Sequence, residues 1–93
     1  MHVKLHGALQ SIFMKGLVKY VNVRLGLCAI ELSSNNFTIF EDFDECLSVG
    51  DIVSGHLESL GGETLHNKSK DTEVDGFAQN YGCSLDQLER QFR

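Results

Sequence analysis

Short apolar runs broken by turn residues dominate this chain, which points to β structure over most of its length. Leu17 to Leu25 carries three valines with polar residues between them and reads as a strand. Leu27 to Leu32 follows at once after Gly26 as its hairpin partner. Ser33-Ser34-Asn35-Asn36 is a turn, because short polar side chains bond to nearby backbone groups, and Phe37 to Phe40 supplies a third β run. Glu41 to Val49 is acidic and irregular, suited to a connection across one end of a barrel. Ile52 to Leu60 reads as a fourth strand, bent at Gly55. Gly61-Gly62 is placed as a two-residue turn leading into Glu63 to Asn67. Lys68 to Asp75 reads as a polar loop, and Gly76 to Tyr81 as a further short strand.

The period changes near the C-terminal end. Ser84 followed three positions later by Gln87 matches a capping box, and Leu85, Leu88 and Phe92 share one helical face. Asp86 in the first turn and Arg90 and Arg93 near the end suit the helix dipole. So short a helix is marginal alone and must dock its apolar face. The pattern predicts an all-β fold, a small five-stranded barrel over residues 14–82, with a short C-terminal helix over 83–93 packed on it. Residues 1–13 have no clear place in that barrel, and Met14-Lys15-Gly16 would itself make a natural start. Two readings stay open for them. One is a dispensable extension from an early start codon; the other is an ordered segment covering the barrel with Val3, Leu5, Leu9 and Ile12.

Composition adds limits. Ninety-three residues make one domain with a small core. No apolar run approaches the ~20 residues of a membrane span. The first residues are interrupted by His6, Gly7, Gln10 and Ser11, so they lack a signal-peptide core, and the cytoplasm is the expected compartment. Three cysteines, widely spaced and without a C-x-x-C pair, argue against a disulfide framework and against a closed zinc site. The net charge is −5 and unevenly spread: residues 41–65 hold seven carboxylates and no Lys or Arg. A dedicated phosphate binder would show the opposite sign.

The residues Gly16, Val18, Lys19 and Asn22 match the first-strand pattern G-x-V-K-W-F-N, with Tyr20 at the Trp position. On these residues the chain resembles cold-shock domains, OB-type nucleic-acid-binding barrels, over roughly residues 15–60. The resemblance implies an OB-like barrel and a surface that stacks bases. It is thinner in the next motif, K-G-F-G-F-I, which aligns with Leu25-Gly26-Leu27-Cys28-Ala29-Ile30 and keeps only Gly26 and Ile30. Leu27 and Ala29 stand where stacking Phe residues belong. The family's F-V-H strand corresponds to Phe37-Thr38-Ile39-Phe40, in either of two registers, one of which turns Phe40 outward beside Tyr20. Losing two or three stacking platforms, at ~1–3 kcal/mol each, would weaken binding severely. Gly50-Asp51-Ile52-Val53 resembles the G-D-x-V opening of later strands in OB-type barrels, with Asp bonding nearby backbone. Ser59 to Thr64 and Asn80 to Ser84 also resemble segments of small bacterial proteins of unknown function, which implies no activity.

Other chemistry is sparse. His2 and His6 have helical ligand spacing but no third ligand, and His56 and His66 read as a cross-strand polar pair that Cys83 could approach. The Asp42–Asp44 run lacks the order of a calcium loop, and the glycines at 61 and 62 lack the spacing and Lys of a phosphate cradle. No nucleophile–base pairing or cofactor motif stands out, so the expectation is a non-enzyme without cofactor or metal. The leading expectation is a binding module with weak affinity for single-stranded RNA or DNA through Lys19, Tyr20, Asn22, Arg24 and Phe40. The alternative is a protein-interaction or regulatory barrel that has lost nucleic-acid binding, with Leu27 and the 41–45 run as contact residues.

Overall fold

The structure, a computed structural model, describes residues 13–92. The proposals for residues 1–12, including the His2–His6 pair, lie outside them. Six strands form a closed antiparallel barrel: β1 (Met14–Asn22), β2 (Leu27–Ser33), β3 (Asn36–Asp42), β4 (Ile52–Gly55), β5 (Gly61–Asn67) and β6 (Thr72–Cys83). One helix, α1 (Leu85–Gln91), follows. Around the barrel the order is β1-β2-β3-β6-β5-β4, so two three-stranded meanders close on each other through β1–β4 and β3–β6. The all-β barrel and its helix agree with the sequence pattern, with six strands in place of five.

The first meander follows the expected runs closely. β1 pairs with β2 from Leu17↔Glu31 to Asn22↔Leu27, with a bulge between Val18 and Tyr20. That bulge leaves both Lys19 and Tyr20 on the outer side. The second meander differs from expectation in three places. β4 stops at Gly55 (φ 154°), where the chain passes against Leu65; Leu57 then turns inward and its carbonyl accepts a hydrogen bond from the Thr38 hydroxyl. Gly61 and Gly62 open β5 and are not a hairpin turn. The turn falls at 68–71, held by Asn67 Oδ1, which accepts from the Ser69 and Lys70 N–H groups at 3.0 and 3.2 Å. The polar stretch from Thr72 is already strand: its inward residues Val74, Gly76 and Ala78 are buried, while Glu73, Asp75 and Phe77 face solvent.

β6 is long because it serves both halves. Its first part pairs with β5, and its last part with β3. Gly76 sits where these overlap, opposite Asp42, with the Glu41 carbonyl and the Phe40 ring pressed against its Cα. Any side chain there would force one of them to shift.

Two apolar clusters result. Val18, Cys28, Ile30, Phe40, Val53, Leu65 and Val74 fill the barrel, joined by Leu47 and Leu57 from the loops. Leu27, Ala29, Phe37 and Ile39 project from the outer faces of β2 and β3 and are covered by α1, through Leu88, with Cys83 beside them. Both faces of β3 are therefore buried.

Candidate interaction surface

The capping box at the start of α1 forms as the sequence predicts: Ser84 Oγ accepts from Gln87 N–H at 3.3 Å, and Gln87 Oε1 accepts from Ser84 N–H at 2.9 Å. Two asparagines tie the helix to the barrel. Asn35, in the β2–β3 turn, accepts from Leu85 N–H at 2.8 Å, and Asn22 Nδ2 donates to the Phe92 carbonyl. Asn22 also caps its own turn, its Oδ1 accepting from Leu25 N–H at 3.1 Å. This residue, expected to touch nucleic acid, anchors the helix.

The remaining expected contacts separate. Phe40 is 1% exposed inside the barrel and cannot stack on a base, because the register turns Thr38 and Phe40 inward and Phe37 and Ile39 outward. Leu27, named as an exposed contact for a partner, is buried under α1. Tyr20 does remain on the surface, 41% exposed, with its ring 6.1 Å from that of Phe37 and tilted by 38°. Lys19 beside it reaches Glu31 at 3.7 Å, an exposed pair of small energetic worth, and Arg24 projects from the β1–β2 turn. Lys19, Tyr20 and Arg24 thus share one end of β1, with a single aromatic among them.

Between that end of β1 and α1 runs a groove of about 510 Å³. Tyr20, Val21 and Val23 form one wall; Leu85, Leu88 and Phe92 form the other, with Glu89 as its one acid. Val23 is 70% exposed, the most solvated large apolar side chain among the described residues. The spacing of Leu85, Leu88 and Phe92 announced an apolar face on the helix. That the face is wide enough both to cover β3 and to line a groove was not visible in the spacing.

Across the β1–β2 turn lies a smaller cavity of about 90 Å³, bordered by Val21, Val23, Leu27, Leu47, Asp42 and Glu45, among others. Asp42 is buried at the end of β3 and accepts from Leu47 N–H at 2.8 Å. Nearby, Asp51 is also buried. Burial alone would raise its carboxyl, but hydrogen bonds from Ser48 N–H (3.0 Å), Asn67 Nδ2 (2.8 Å) and Lys70 Nζ (3.1 Å), with the lysine's charge, hold it below the ordinary range. This cluster staples the 48–51 turn to the 68–71 turn, while Gly50 N–H and Val18 N–H bond across to Val18 and Asp51 carbonyls.

The titratable groups offer little reactivity. Burial pushes the Cys28 thiol up to about 12, with nearby Asp42, Cys46 and Asp51 adding to it. Desolvation likewise raises Cys46 and Cys83, so all three are protonated at neutral pH and poor nucleophiles. His56 and His66 do not pair: His66 lies opposite Ser54 and Glu73, with Glu73 at 2.9 Å from Nδ1, while His56 meets the Phe13 ring edge-on with centroids 4.5 Å apart. Cys83 lies under α1, in the apolar cluster with Leu88. Among the described residues no three His, Cys, Asp or Glu side chains gather as a metal site, and no helix is long and apolar enough to cross a membrane. Compared with known proteins, the chain matches no family model, no curated protein and no solved structure.

Proposed function

We propose that this chain is a non-catalytic interaction barrel, cold-shock-like in plan, that binds a short segment of a partner protein in place of single-stranded nucleic acid. The observation that carries the reading is the position of α1. The outer faces of β2 and β3, where an OB-like barrel would offer stacking platforms, are buried beneath the chain's own helix through Leu27, Ala29, Phe37 and Ile39. With Phe40 inside the barrel, Tyr20 is the one aromatic left exposed among the expected contact residues, worth ~1–3 kcal/mol, and the net charge of −5 opposes a phosphate backbone. The groove beside α1 suits one large apolar anchor on a partner, since its walls are apolar on both sides and Val23 stands largely in water.

Panning a displayed random-peptide library against the protein tests this. Peptides with a large apolar anchor should be enriched, and Val23→Glu and Leu85→Glu should each weaken them about tenfold or more while leaving the melting temperature in place. Oligothymidine and oligouridine should give no saturable amide shifts at Lys19, Tyr20 or Arg24 in low salt. Salt-sensitive shifts at those three residues, with no peptide dependent on Val23, would overturn the reading in favour of nucleic acid.

A further inference from the structure

Among the described residues, the buried carboxylate of Asp42 has no counter-cation. It is 4% exposed, and only one of its oxygens has a strong donor, the Leu47 N–H at 2.8 Å on Oδ2. Among the described residues the sole partner of Oδ1 is the Cys46 thiol at 3.7 Å, a weak donor. Burying an ionised carboxylate without a compensating positive charge is costly. The neighbouring Asp51 meets that demand with Lys70 at 3.1 Å, and the same ammonium also donates to Ser48 Oγ and the Cys46 carbonyl at 2.9 and 3.1 Å. Lys70 is therefore committed, and residues 41–65 contribute no other cation.

Asp42 borders the 90 Å³ cavity, whose further walls include Val21, Val23, Leu27 and Leu47. A water needs roughly 10–15 Å³ on such a measure, so there is room for several non-hydrogen atoms. Mostly apolar walls with one desolvated carboxylate suit a particular chemistry: a positive charge at the tip of a flexible hydrocarbon stem. Glu45, exposed and also lining the cavity, adds negative potential for its approach. A guanidinium is a poorer match, because it brings five donors where an ammonium brings three, and Asp42 leaves only one oxygen without a strong donor.

We infer that this cavity receives a lysine ammonium group, supplied by the same partner segment whose apolar anchor fills the groove. Val21, Asn22 and Val23 line both spaces, so a segment laid across the β1–β2 turn reaches each of them. The recognised sequence then combines one large apolar residue with a nearby lysine. This rests on the proposed groove, but the cavity can be probed without it.

The probe is n-butylammonium, a lysine side chain without its backbone, with n-butanol as the uncharged control, each titrated into the isotopically labelled full chain. Saturable amide shifts at Gly26, Cys28 and Leu47 are expected for butylammonium and not for butanol. Glu45→Gln, at an exposed position, should weaken binding two- to threefold, and Asp42→Asn about tenfold or more. Equal responses to the two probes, or butylammonium binding indifferent to both substitutions, would overturn the inference. Should Asp42→Asn not fold, the probe pair and Glu45→Gln still decide. Failure of the groove is separable: peptides would then show no dependence on Val23 while butylammonium still moved Gly26. Failure of the cavity alone would leave lysine-free peptides binding through Val23.

Discussion

Substituting Gly76 by alanine tests the closest approach in the barrel. A methyl group built there would lie 2.5 Å from two carbons of the Phe40 ring and nearer still to the Glu41 carbonyl oxygen. Carbon pairs are comfortable at about 3.5–4.0 Å, so the overlap with the ring is of order one ångström. Neither neighbour can yield easily. Phe40 is 1% exposed in the barrel core, and Glu41 belongs to the ladder that pairs β3 with β6. Overpacking a close-fitting core costs about 1–3 kcal/mol and occasionally more. A clash that includes backbone belongs at the upper end, so we expect about 3 kcal/mol or more. A domain of this size has about 5–14 kcal/mol in total, and 1 kcal/mol moves Tm by about 4–8 °C. Gly76→Ala should therefore melt roughly 12–24 °C below the parent in calorimetry. Gly62 supplies the control: it lies on β5 opposite Phe77, next to Gly76 in the ladder, with nothing within 4 Å of an added methyl. Gly62→Ala should be neutral or stabilising by a few tenths of a kcal/mol. Adding Phe40→Leu to Gly76→Ala should recover only part of the loss, because the carbonyl contact persists. If Gly76→Ala and Gly62→Ala melted within about 3 °C of each other, the argument for this strand crossing would be wrong.

Two further outcomes follow from the same geometry. Leu88→Ala should cost about 2–3 kcal/mol and raise binding of a hydrophobic dye, since Leu88 is the buried residue of α1 over Leu27, Ala29, Phe37 and Ile39; a neutral substitution would mean that the helix does not cover β3. Asp51→Asn should cost about 2 kcal/mol at pH 7, read from urea midpoints. The folded carboxyl lies below its ordinary value, so its contribution is complete above about pH 4 and fades as pH falls through the folded value; the gap between parent and variant should close in acid, and a constant gap would refute the role assigned to the charge.

The first meander was legible because its strands carry β-branched residues and are separated by turn residues of plain chemistry, Gly26 and Ser34-Asn35. The second was not, for a physical reason. Its inward positions in β6 are Val74, Gly76 and Ala78, and small residues give almost no hydrophobic alternation to read. The glycine pair at 61 and 62 imitates a hairpin turn, while the real turn is built by Asn67, whose side chain holds two backbone N–H groups. The site failed at a parity question. Period-two patterning tells inside from outside only when one face is wet, and β3 is dry on both, so Phe37 and Phe40 look equivalent in the sequence. The lysine and tyrosine of β1 were placed correctly on the surface; that Asn22 holds Phe92, seventy positions away, no local pattern could reveal.

The two dry faces of β3 also give the chain a vulnerable interval during synthesis. β2 and β3 leave the ribosome early, yet their outer residues are covered only after β4, β5 and β6 have been made and α1 arrives. Until then Leu27, Phe37 and Ile39 form an exposed apolar strip, the kind of surface on which nascent chains associate or recruit chaperones. The pairing Phe37↔Cys83 lengthens that interval, because the strand that closes the barrel comes just before the helix. A released chain truncated before Ser84 would therefore present a barrel with its inside finished and its outside still sticky.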